Sequence, residues 1–199
     1  NFFGAGVLSS LFNNKIKFGF EYLREGDNQD SPIDISLSES DKEILSQAGD
    51  DRNKAVKSGV RLAEPDSLGI VRGIYSKVDT LINGNIFSYY VYNPGDSSSI
   101  FNVSFSYVGE GKGDYVRESL GVYRFVGIGN GGYLPIIFLP IPQLKQLGAI
   151  TLTANIIENL DVNFDYAGSL WDKNRFSALD ENDNFGYAAN FSMRLKPSS

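Results

Sequence analysis

Residues 15–22, KIKFGFEY, place Ile16, Phe18, Phe20 and Tyr22 at alternate positions, with Lys15, Lys17, Gly19 and Glu21 between them. A repeat of two is the repeat of an extended chain, so this segment predicts a strand with one face out of water. The pattern returns near the end of the chain in AITLTANI (149–156), DVNFDYAGSLW (161–171) and FGYAANFSMRL (185–195). There Ile150, Leu152, Ala154 and Ile156 share a side, as do Val162, Phe164 and Tyr166, and then Tyr187, Ala189, Phe191, Met193 and Leu195. Thr151, Thr153, Asn155, Asn163, Asp165, Asn190, Ser192 and Arg194 take the other side. No helix is compatible with such segregation, and the fold class predicted is mainly β and antiparallel.

Composition narrows the function classes. A net charge of -6, with 18 basic residues dispersed among 24 acids, disfavours a nucleic-acid partner, which needs gathered Lys and Arg. The chain has no Cys and no His, so disulfides, thiolate metal sites and Ser-His-Asp or Cys-His catalysis are excluded. No stretch approaches the roughly 20 apolar residues of a membrane-spanning helix, so a membrane setting would require strands. The chain begins NFFGAGV, without Met, a basic region or a long apolar run, as expected of a mature product or a piece of a longer chain.

Between the alternating ends the pattern changes. GAGVLSSLF and the strand at 15–22 flank Asn13-Asn14, a hairpin turn signal because Asn tolerates the left-handed conformation. The sequence divides into an N-terminal hairpin (1–24), a loop-rich β insertion (25–147) and C-terminal strands (148–199) that pack with the hairpin. Within the insertion one short helix is predicted at about 40–48, capped by Ser40 and Glu43 and stopped by Gly49. GIVRGIYSKVDT, IFSYYVYN and IFNVSFSYV predict a meander. The prolines of YLPIIFLPIPQ confine that segment to an edge or a surface.

Residues 107–116, YVGEGKGDYV, are echoed by 125–134, FVGIGNGGYL. Gly127, Gly129 and Gly132 fit G-x-G-x-x-G, yet Tyr-Leu-Pro follows where a phosphate-holding helix would begin, so glycine turns are expected and a nucleotide is not. Asp180, Asn182 and Asp183 have oxygen-donor spacing that would suit a structural calcium ion, the one cofactor the sequence suggests, although the EF-hand pattern fails. Tyr89, Tyr90, Tyr92, Tyr115, Tyr123 and Tyr133 could line a sugar or peptide groove, but cross-strand packing accounts for them more simply. No catalytic residue is assigned.

The alternation fits either a soluble sandwich or part of a lipid-facing barrel, and the final strands have the length and the short-turn, long-loop asymmetry of the second. The order DKEILSQAGDD, FNVSFSYVGEGKGDY, GVYRFVGIGNGGYLP with LPIPQ, and KNRFSALDENDNFGYA, covering most of the chain from Asp41, resembles large outer-membrane and cell-surface β-proteins of Bacteroidota- and Chlorobi-type bacteria. Gly132 departs from that pattern where the first copy has Asp114. The resemblance implies a non-enzymatic structural, transport or adhesive role at the outer membrane or extracellular surface of a Gram-negative bacterium. Expected partners are other envelope or surface chains, a second copy among them, and outer-membrane lipid. A barrel would be only partial here, because closure takes about eight strands. The alternative is a secreted module or fibre subunit that associates through strand edges, with a glycan-active enzyme behind both.

Overall fold

The computed structural model describes residues 1–82 and 84–196. In chain order its strands are β1 (Phe2–Leu11), β2 (Ile16–Gly26), β3 (Val56–Ser58), β4 (Val60–Leu62), β5 (Tyr75–Ile82), β6 (Asn85–Tyr92), β7 (Phe101–Val103) and β8 (Ser106–Tyr107). They continue as β9 (Tyr115–Ser119), β10 (Val122–Phe125), β11 (Tyr133–Leu134), β12 (Ile136–Phe138), β13 (Leu144–Ile157), β14 (Leu160–Asp172) and β15 (Phe185–Leu195). Among the described residues the single α-helix is α1 (Glu39–Ala48). The protein is therefore mainly β, built of antiparallel sheets that form no closed barrel among the described residues.

The chain forms two compact units, Asn1–Ala55 with Pro140–Ser199, and Val56–Leu139. The sequence division at 25–147 is thus replaced by a narrower insertion, and the helix belongs with the long strands. The reason is a side chain: the Asn174 amide, 1% exposed, donates to the carbonyls of Leu45 (2.8 Å) and Gly49 (2.6 Å) at the end of α1. Ser177 Oγ adds a bond to the Ser46 carbonyl. The start of α1 also differs from expectation. Ser38, not Ser40, caps it: Ser38 Oγ accepts from Asp41 N, and the Asp41 carboxylate accepts from Ser38 N. Glu43 instead accepts from Gln47 one turn on. Gly49 closes the helix with φ +61, as read from the sequence.

In the first unit one sheet runs β1-β2-β13-β14-β15, antiparallel at every step. Pairing holds its register: Val7, Phe20, Ile150 and Tyr166 lie across four neighbouring strands, as do Phe18, Leu152, Phe164 and Phe191 across β2, β13, β14 and β15. Successive residues alternate sides of a strand, so the oily positions of all five strands collect on one face. The side chain of Ile156, assigned to that face by the sequence pattern, lies outside the described ones. The β1–β2 turn winds left-handed through Phe12, Asn13 and Asn14, at φ 53, 56 and 66.

The second unit holds β10-β9-β11-β8, β4-β7-β5-β6 and the pair β12-β3. The proline-bearing segment supplies only the short strands β11 and β12. Its interior is aromatic. Tyr75 and Tyr115 are buried, and Phe105 lies 5.5 Å from the Tyr75 ring, 4.7 Å from Tyr115 and 4.4 Å from Tyr123. Each buried phenol finds a backbone partner: Tyr75 donates to the Gly121 carbonyl (3.1 Å), and Tyr115 accepts from Tyr90 N (2.8 Å).

Burial pushes the Tyr115 hydroxyl up from 10.0 to about 12. A folded-state value above the unfolded one contributes stability that is whole below pH 10 and lost as pH rises through about 12. At 1.36 kcal/mol per unit this is roughly 2–3 kcal/mol. The melting temperature of this unit should therefore fall between pH 10 and 12, and Tyr115→Phe should lessen that fall. The same variant should lose about 1 kcal/mol near neutrality with the bond to Tyr90.

Candidate functional site

The feature with most functional content is the segregation of the five-stranded sheet. Its apolar face carries Phe3, Val7 and Leu11 of β1, Phe18, Phe20 and Tyr22 of β2, Ile150 and Leu152 of β13, Val162, Phe164 and Tyr166 of β14, and Phe185, Tyr187, Phe191, Met193 and Leu195 of β15. These side chains are not a core. Even in the middle of the sheet Phe164 is 37% exposed, and the exposure climbs to 66% at Phe191 and 75% at Tyr187. Exposed apolar patches on soluble monomers seldom exceed a few hundred Å², and a face of five strands 10 to 14 residues long is far larger.

The opposite face is small and polar. Gly4, Gly6, Gly19, Ala149, Thr151, Thr153, Ser169, Asn163 and Ser192 occur there with Lys17, Glu21, Asp165, Asn190 and Arg194. Asn190 donates to Asp165 (3.2 Å) and Asn163 to Ser192 (3.3 Å) across the β14–β15 pair. The close fit is visible at Gly19, where an added Cβ would overlap the Thr151 hydroxyl. Phe2, Leu8, Leu23, Leu147 and Trp171 are apolar exceptions; Trp171 hydrogen-bonds Gln143 (3.2 Å) and carries the Lys145 ammonium 5.0 Å from its ring centre.

The two ends of the sheet differ as well. Short links, residues 12–15 and 158–159, join strands at one end, whereas the connections 27–143 and 173–184 both leave from the other.

The predicted site residues have the following surroundings. Asp180 takes a left-handed backbone (φ 62) and begins the single helical turn Glu181–Asp183. The Asp183 carboxylate receives the Lys173 ammonium (3.4 Å), which also reaches Asp50 (3.0 Å), and those two bonds raise the Lys173 pKa. At Asp183 an ammonium thus already supplies the positive charge that calcium would bring. Among the described residues no group of three or more Asp or Glu is arranged to hold a metal ion.

The repeated glycine motif is a pair of turns related by a local two-fold. Gly109 and Gly127 have φ +106 and +103, Gly111 and Gly129 have +72 and +70, and Gly113 and Gly131 exchange backbone hydrogen bonds of 3.0 and 2.8 Å. The second run continues into β11, not into a helix. Asp114 accepts from Gly129 N (3.0 Å). Its counterpart is Gly132 because a Cβ there would press on the Tyr107 ring, at 2.9 Å. The six tyrosines belong to the aromatic packing of this unit: Tyr89 stacks on Phe125, Tyr90 meets Phe101, Tyr92 meets Tyr75, and Tyr123 meets Tyr133.

Sequence reasoning passed over Arg24 and Arg175, which line one cavity of about 460 Å³. No family model matches the chain, and neither a curated protein nor a solved structure is similar to it.

Proposed function

We propose that the five-stranded sheet is a segment of a transmembrane β-barrel in a Gram-negative outer membrane, and that the role is structural, transport or adhesive rather than catalytic. The observation that supports this most is the uncovered apolar face shared by five strands in register, opposite a face of small and polar groups. A barrel wall has this composition because lipid takes one side and a wet lumen the other. Strands of 10 to 14 residues are long enough to cross a hydrocarbon layer at a tilt. Short turns at one end and long connections at the other are the asymmetry of periplasmic and extracellular sides.

Neighbouring positions on β14 test the assignment. In a Trp171→Phe background, Phe164→Trp is expected to be strongly quenched by brominated acyl chains in phosphatidylcholine vesicles, and Asn163→Trp weakly. Equal quenching of the two, or a chain that is monomeric in detergent-free buffer, would refute a lipid-facing wall.

A further inference from the structure

We infer that the cavity lined by Arg24 and Arg175 binds a phosphate group, supplied by an anionic lipid whose chains lie on the neighbouring apolar face; the lipid source, but not the anion site, rests on the barrel reading.

The cavity, about 460 Å³, is bounded by Phe3, Arg24, Asp27, Asn28, Gln29 and Arg175 among others. Among the described residues neither Arg24 nor Arg175 forms an ion pair, although the Arg175 charge is felt by the Asp172 carboxylate, and the Arg24 side chain makes no hydrogen bond. Arg175, half-buried, spends Nη1 on the Asp27 backbone carbonyl (3.0 Å), and its own carbonyl accepts from Gln29 Nε2 (3.0 Å). That fixes its backbone and stem while leaving most of the guanidinium's five donors for another acceptor.

The one carboxylate in the lining, Asp27, accepts from the Gln143 backbone N–H (2.9 Å) and is thereby engaged. Two arginines lining one space, with Asn28 also in the lining, suit the several oxygens of a phosphate better than a single carboxylate.

Location selects the source. Arg24 pairs in register with Phe3 and lies two residues from Tyr22, so it ends the apolar face at the edge from which the long connections leave. Phe3 and Tyr22 are themselves in ring contact at 6.3 Å. An aromatic pair with a cation beyond it is the sequence of environments a lipid meets from acyl chain to headgroup.

The test uses the whole chain in maltoside micelles, with short-chain dihexanoyl phosphatidic acid and inorganic phosphate as separate probes. Side-chain Nε–H resonances of the arginines report contact. The lipid probe is expected to shift the Arg24 and Arg175 signals and to bind at least tenfold more tightly than phosphate. Arg24→Gln with Arg175→Gln should abolish both responses. Equal affinity for the two probes would keep the anion site and overturn the lipid source. Silence toward both, or undiminished binding by the double variant, would overturn the site itself. Bromolipid quenching of Phe164→Trp, repeated in the double variant, reads the barrel assignment independently.

Discussion

Gly131→Ala is expected to destabilise strongly the unit formed by Val56–Leu139. A Cβ at Gly131 would overlap the backbone N, C and O of Tyr115, and a Cβ at Gly113 would overlap the backbone of Tyr133. Neither obstacle is a side chain that could rotate away. Relief requires parting the two turns, which breaks the Gly113–Gly131 bonds and withdraws Tyr115 and Tyr133 from the aromatic interior. Overpacking alone costs 1–3 kcal/mol, and the lost hydrogen bonds bring the total to about 3–4 kcal/mol. A shift in Tm on the order of 10 °C or more follows for a unit of this size, read from aromatic circular dichroism. Gly121→Ala is the contrast: it has a left-handed φ of +78 but open space around it, so only the backbone term of about 1 kcal/mol applies. If the two variants melted together, crowding at the two-fold would not be what holds these turns.

Asn174→Ala should be nearly as damaging to the other unit. The amide satisfies two carbonyls at the end of α1, both bonds closed to water, and accepts from the partly buried Phe176 N (3.2 Å). Deleting it leaves two buried acceptors and one donor without partners, at roughly 1–3 kcal/mol for each group that water cannot reach. A loss of about 2–4 kcal/mol is expected, concentrated in α1, where hydrogen exchange of the amides should accelerate before that of β13 or β14. Asn174→Asp keeps the volume but turns an acceptor toward the Leu45 and Gly49 carbonyls, and should be at least as harmful. Uniform acceleration across the sheet would instead mean that the helix and strands open together.

The long strands were legible because period two is a strictly local signal that pairing then reproduces: Ile150, Phe164 and Phe191 do share a face. The helix was legible, but its cap was ambiguous. SESDKE offers two boxes offset by two residues, Ser38 with Asp41 and Ser40 with Glu43, and only burial of Asp41 decides between them. The repeat of glycines was visible as two turns. That the turns grip each other was not, since nothing in either copy encodes its distance from the other. The insertion boundary was misplaced for a similar reason: Asn174 sits in a polar loop that reads as solvent-exposed until the end of α1 is placed beside it. Arg24 and Arg175 share a cavity only because β1, β2 and the segment after β14 are brought to one end of the sheet.

The order of the five strands carries a constraint of parity. After four antiparallel steps β15 runs in the same sense as β1, so both rims of the sheet ascend together. Joining one rim directly to the other, or to the opposite rim of an equally oriented copy, would make a parallel seam. A ring of alternating strands must contain an even number, and about eight is the smallest that closes. If the proposed barrel is closed by other strands, they must come as an odd complement, three at the least, beginning and ending with strands that descend.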